Sequence, residues 1–324
     1  MAMGFSSNVG VCPGLNQFFQ KLFRTREVSP LIILLGGIIT LRVVEPSFGT
    51  AVNLWAVSRD AAIFAVMGAG MTAVILTGGI DLSVASILAF SAAVTAKLMM
   101  SGTSVVASSL VGLLVGTACG MTNAGLITIF RVPPIIATLG TMGILRATTI
   151  LYTDAKWIGP LPLSFAWVGT RYTPFAILVA TTILVAIFLS RTKLGRYVYA
   201  VGGNEEAVHL SGVNPRLVKF VVYTLNGLLA SVAGLILASS MSSAQSNMAV
   251  GYELSVIAAV VIGGTSISGG KGSVLGTVVG AAIMAVLSNA LILLGVPITW
   301  HKVLTGIIIL SAVLADRLRS DIPR

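Results

Sequence analysis

Charged side chains are scarce in this sequence: 9% of its 324 residues are Asp, Glu, Lys or Arg, against about 25% in ordinary soluble domains. That shortage excludes a water-soluble globular chain of this size. Histidine and cysteine number two each. His209 and His301 belong to no His-Glu-x-x-His zinc motif, and no Gly-x-Ser-x-Gly elbow is present, which removes the usual marks of an intramembrane hydrolase. Cys12, near the start, and Cys119, inside an apolar run, offer neither a disulfide framework nor a metal site. Residues 1–29 lack an apolar signal-peptide core, and Ala2 follows Met1 in place of the glycine that myristoylation needs.

What the chain has is apolar length, 56% hydrophobic residues. Crossing a hydrocarbon core takes roughly 20 apolar residues per helix. Runs bounded by Gly, Pro, Asn or charge give ten predicted spans, at about 30–47, 59–79, 83–101, 104–130, 133–152, 174–191, 217–240, 252–268, 273–294 and 299–315. The predicted fold is therefore all-α and polytopic, with broken or re-entrant glycine-rich turns. Ten spans leave too little chain for a fused ATPase or kinase domain of about 100 residues or more, so energy must come from a partner or an ion gradient. The expected organisation is a tail over residues 1–29, a membrane domain over 30–316 containing an inside loop at 192–216, and a second tail over 317–324. In the first tail, Phe18, Phe19, Leu22 and Phe23 beside Lys21, Arg24 and Arg26 predict a short interfacial helix.

The net charge of +10 is a matter of placement. With the N-terminus in the cytoplasm, inside segments hold Lys21, Arg24, Arg26, Arg131, Arg191, Lys193, Arg196, Arg216, Lys219, Lys271, Arg317, Arg319 and Arg324, 13 of the 20 basic residues. That bias and an even span count place both termini in the cytoplasm. Small residues recur at four-residue spacing, as at Gly112, Gly116, Gly120 and at Gly276, Gly280. Such stripes serve close helix packing or, alternatively, line a pore.

Three interruptions stand out. In Leu76-Thr77-Gly78-Gly79-Ile80-Asp81-Leu82-Ser83, paired glycines end one span and Asp81 is placed to cap the next. The turn either has that structural role alone or contacts a partner and shapes the pathway. In the inside loop, Asn204 can cap a helix whose first turn carries Glu205 and Glu206, Gly212 can end it, and Asn214-Pro215 starts the following span. A helix of about seven residues is not stable alone, so it packs on this chain's own helix ends or plugs into a soluble partner. The third stretch, with Gly263, Gly264, Gly269, Gly270 and Lys271, superficially matches a phosphate-binding loop. It places Thr265 where the first Gly belongs and Gly272 where the Ser or Thr belongs, and reads instead as a flexible re-entrant or cytoplasmic turn.

The stretches LTGGIDLSVASILAFSAAV from Leu76, LGRYVYAVGGNEEAVHLSGV from Leu194 and GYELSVIAAVVIGGTSISGGKGSVLGT from Gly251, in this order, resemble permease subunits of ATP-binding-cassette importers for ribose and related sugars. The resemblance runs from about residue 50 to residue 316 and covers the ribose, xylose, arabinose and galactose type. It implies a bacterial inner-membrane subunit that works with a second permease, identical or paralogous, a cytoplasmic ATPase carrying ATP and Mg, and a periplasmic or surface sugar-binding protein. The chain itself would hold no cofactor and catalyse nothing. The family's coupling motif, Glu-Ala-Ala, three residues, then Gly, falls on Glu206, Ala207, Val208 and Gly212, with Val208 departing from the second Ala. Asn204 and Glu205 precede it. The resemblance thus makes the capped helix the contact for the ATPase.

An ion-coupled carrier is the competing class, since broken helices mark those too. It wants ionisable groups at mid-membrane, whereas Asp60, Asp81, Asp154, Glu253, Asp316 and Glu45 fall near predicted span ends. For solute contacts, Asn123, Asn226 and Asn289, with Gln245 and Tyr252, offer hydrogen bonds, although amides in lipid also join helices. Nucleosides and autoinducer-2 are alternative substrates within the same class.

Overall fold

A computed structural model describes residues 28–170, 172–297, 299–300, 303–308, 310, 311 and 314. The expected interfacial helix around Phe18 to Arg26 and the tail from residue 317 lie outside the described residues. Among the described residues the chain is helical, with one isolated bridge between Ile158 and Ala244. The helices are α1 (Val28–Val44), α2 (Ala51–Leu76), α3 (Val84–Met100), α4 (Val105–Thr128), α5 (Pro134–Thr153), α6 (Thr173–Arg191), α7 (Lys193–Gly203), α8 (Glu205–Leu210), α9 (Pro215–Met241), α10 (Tyr252–Ile262) and α11 (Val274–Leu293). Short 3-10 turns lie at Pro46–Gly49 and Leu163–Val168.

Six of these, α2, α4, α5, α6, α9 and α11, are long and apolar enough to cross a membrane. Apolar helices at Pro30–Val44, Val84–Met100 and Tyr252–Ile262 are shorter, and the span expected at 299–315 is described only in fragments. The described residues thus support a multi-pass helical membrane protein and not the full count of ten spans.

Two boundaries differ from expectation by more than a turn. Helix α2 begins at Ala51, eight residues before the predicted 59, because Thr50 caps it by accepting from the Asn53 amide. The polar run Ser58-Arg59-Asp60 therefore lies inside the helix, where Arg59 and Asp60 pair with each other. Asp60 is consequently not at a span end. Helix α10 stops at Ile262, six residues short of the predicted 268, at Gly263 followed by Gly264 in the left-handed region (φ +91°). Its 11 residues cover about 16 Å, half a bilayer.

Helices α2 and α9 form the centre. Every residue from Ala62 to Leu76 is buried, so this stretch is apolar or small on all sides, as a helix surrounded by others must be. Helix α9 packs along α2, α3 and α4, while α6, α10 and α11 cover the remaining flanks of α2. The small-residue stripes are packing surfaces. Gly112 meets Thr95 and the Ser91 carbonyl, Gly116 meets Ser231, and Gly120 meets Gly227 across α9. Gly276 and Gly280 of α11 lie against the Gly263 and Ala259 carbonyls. Between α2 and α11, the Thr72 and Thr277 hydroxyls pair at 2.6 Å.

Candidate coupling site

The loop at 192–216, expected to hold one helix, folds as two. Thr192 ends α6 and caps α7, its hydroxyl accepting from the Gly195 amide at 2.9 Å. Helix α7 buries Gly195, Val198 and Val201 on one face and was missed in the sequence, where its polar and glycine residues read as loop. Asn204, extended at φ −161°, closes α7 through its amide and opens α8 through its side chain, Oδ1 accepting from the Ala207 amide at 2.9 Å. Gly212 ends α8 at φ +82°, and the amides of Gly212 and Val213 return to the carbonyls of His209 and Val208. Asn214 then caps α9 by accepting from the Arg216 amide at 3.0 Å, with Pro215 at the first position. The caps anticipated from the sequence are all present.

No residue of α8 is buried. It is fixed at one side by Lys219 of α9, which reaches Glu205 at 2.6 Å. Glu206 makes no ion pair or side-chain hydrogen bond among the described residues. Glu205, Glu206, His209 and residues 212–216 line an open groove of roughly 660 Å³ between α8 and the start of α9. A short amphiphilic helix with a free carboxylate and an adjacent hollow is suited to docking.

The three sequence interruptions meet at one place. The Gly270 amide donates to the Leu76 carbonyl at 3.0 Å, and the Tyr199 hydroxyl of α7 donates to the Gly272 carbonyl at 3.2 Å. Gly202 lies so close to the Leu76 carbonyl and the Gly270 amide that a Cβ there would collide with both, and Gly269 sits against Gly202 and the Gly78 amide. The junction is backbone against backbone. The stretch at 263–273 is therefore pinned in place where a flexible turn was expected, with left-handed glycines at 264, 269 and 270. Lys271 is exposed.

From this junction a buried polar chain runs into the helices. Asp81 accepts from the Ser83 amide (2.9 Å), the Ser83 hydroxyl (2.6 Å) and Asn226 Nδ2 (2.9 Å), and Asn123 Nδ2 donates to the Ser83 hydroxyl at 2.7 Å. Asp81 does meet a free amide just ahead of α3, as expected, although Ser83 occupies the formal cap position. Asp81, Ser83, Asn123 and Asn226 are all fully buried. Two of the three asparagines considered as solute contacts thus join α4, α3 and α9. Asn289 stands apart, accepting from Asn53 between α11 and α2 at 3.0 Å. The side chain of Tyr223, equally buried, closes over Gly79.

Residues 53–313 match the family described as branched-chain amino acid transport system / permease component. The chain is 41% identical over 302 residues to the ribose import permease protein of Bacillus subtilis (strain 168), covering 91% of this chain and 94% of that one. It is 40% identical over 310 residues to that of Escherichia coli (strain K12), covering 93% and 96%. The autoinducer 2 import system permease protein of Yersinia enterocolitica is 31% identical over 314 residues, covering 95% and 87%. No solved structure matches the chain. With buried helices, glycine-to-glycine packing and a family match over most of its length, the chain belongs to the branched-chain amino acid transport system / permease component family.

Proposed function

We propose that this protein is the membrane-spanning subunit of an ATP-driven importer for ribose or a closely similar monosaccharide, moving its solute by alternating access. The observation that carries the reading is α8: a helix too short to be stable alone, capped at both ends, unburied, and presenting Glu206 beside an open groove. It would seat in a cleft of a separate ATPase subunit. Closure of the ATPase pair would then move α8 and, through the glycine junction, the turn at Leu76. ATP and Mg reside on that partner, and this chain supplies no catalytic group. The assembly would contain a second permease, identical or paralogous, and a sugar-binding protein on the opposite face of the plasma membrane, with both tails in the cytoplasm. Ribose is favoured over autoinducer-2 because the identity to ribose permeases is higher.

The test is a double variant, Glu206→Ala with Gly212→Val, assayed in membranes for insertion, ATPase association and ribose uptake. Normal insertion with uptake reduced about tenfold or more is expected, since removing docking contacts and the left-handed stop costs at least about 1.4 kcal/mol. Unchanged uptake with unchanged ATPase association would rule out the assignment of α8. Gradient-driven uptake by the isolated chain would overturn the ATP-driven class.

A further inference from the structure

Four charged side chains within the helical body belong neither to the coupling site nor to the Asp81 chain, and they share a depth. Asp60 lies nine residues into α2, about 13 Å along it. Arg146 lies seven residues before the end of α5, about 10 Å. The start of α2 and the end of α5 are on the same side of the molecule, since Leu76 abuts the junction with α7 and Thr138, near the start of α5, donates to the Ile80 carbonyl. Both groups are thus buried to similar depth from the side opposite α8. Tyr252 and Glu253 open the half-length α10, which also packs on α2.

The contacts link these elements. Arg59 holds Asp60 Oδ1 from both Nε and Nη2 at 3.0 Å, and the two side chains keep about a third of their surface open, 30% and 33%. Tyr252 packs on Phe64 with ring centres 4.9 Å apart and lies in the field of both Asp60 and Arg59. Arg146 donates to the Met248 carbonyl at 2.9 Å and has Glu253 as its neighbouring charge. Glu253 Oε2 is buried without a hydrogen-bond partner among the described residues.

Charged groups left partly open at this depth are not stable against hydrocarbon and face water or polar protein. Two guanidinium groups and two carboxylates sum to zero, so the layer carries no net charge to favour an ionic over a neutral ligand. It offers forked donors, acceptors and an aromatic face, the set that recognises hydroxyl groups on a neutral ligand. We infer that Arg59, Asp60, Arg146, Tyr252 and Glu253 line the water-filled passage and contact the transported solute, a neutral polyhydroxylated molecule. The inference rests on the importer reading above and assigns solute contact to this layer instead of the buried Asn123 and Asn226.

The experiment uses the assembled transporter in proteoliposomes, with Cys12 and Cys119 replaced by serine and single cysteines introduced as Asp60→Cys, Glu253→Cys and, for comparison, Asn226→Cys. A membrane-impermeant thiol reagent should modify the first two and leave the third unmodified, and ribose delivered by its binding protein should slow the reaction. The isosteric Asp60→Asn, which keeps the packing, should raise the half-saturating ribose concentration about tenfold, the loss of one charge-assisted hydrogen bond, with ATPase association unchanged. Unreactive cysteines, or equal rates with and without ribose, in a preparation that imports ribose overturn the passage, as does unaltered half-saturation in Asp60→Asn. A cysteine-free parent that imports no ribose when the ATPase is supplied overturns the importer reading instead.

Discussion

Asp81 is a fully buried carboxylate whose hydrogen-bond partners are all neutral. Burying a carboxyl group without a counter-ion is tolerated only where hydrogen bonds replace its lost water, and here three donors do so. One of them, Asn226, comes from 145 positions along the chain. Removing it by Asn226→Ala leaves the carboxylate a donor short, which costs about 1–3 kcal/mol. Detergent-solubilised protein should therefore unfold at a lower temperature, and an unchanged midpoint would mean that the bond contributes nothing. Ser83→Ala should be non-additive with it, because both act on one group. Half of this arrangement was legible in the sequence. The bond from Asp81 to the Ser83 amide is local and follows from a carboxylate just ahead of an apolar run. The bonds from Asn226 to Asp81 and from Asn123 to the Ser83 hydroxyl depend on how α9 and α4 are rotated, which no spacing along the chain encodes.

At the scale of elements, α8 was readable because its caps are local, each a short polar side chain or glycine within four residues of its partner. Helix α7 was not, although Gly195, Val198 and Val201 recur at helical spacing on its buried face, because its 11 residues are too short for a span and are interspersed with charge and glycine that read as loop. Its packing in the junction involves adjacent glycines in unlike surroundings. Gly202 has no room for a side chain, while nothing lies within 4 Å of where one would project from Gly203. The pair is its own control. Gly203→Ala should leave uptake intact and stabilise slightly, by a few tenths of a kcal/mol through lowered unfolded-state entropy. Gly202→Ala should retain membrane insertion and ATPase association but lose about tenfold or more of ATP-driven ribose uptake, the same free-energy scale of about 1.4 kcal/mol, because α7 is levered off the Leu76 and Gly270 backbone. Equal uptake in the two variants, measured per ATP hydrolysed, would show that the junction transmits nothing.

For the whole molecule, the full count of ten spans is not reached among the described residues, but hydropathy located the six described helices long and apolar enough to cross a membrane and three shorter apolar ones, because lipid requires apolar length and internally satisfied backbone. It misjudged the start of α2, where an ion pair inside the helix looked like a loop, and the end of α10, where an apolar sequence continues past a glycine stop. The meeting of three distant interruptions was invisible, being a property of the assembled bundle. Charge placement also predicts sidedness. A cysteine introduced as Gly203→Cys should react with an impermeant reagent only from the cytoplasmic face, and one at Lys156→Cys, in the exposed loop after α5, only from the opposite face. Reaction of both from one side would refute the orientation. The position of Asn226 has a mechanical consequence. It anchors the continuous, 27-residue α9 about 16 Å from the end beside α8 and about 22 Å from the other. A rod held at such a point is a lever with unequal arms. Tilting about that fulcrum would reverse a displacement made at the short arm and enlarge it about 1.4-fold at the far end, in the ratio of the two arm lengths.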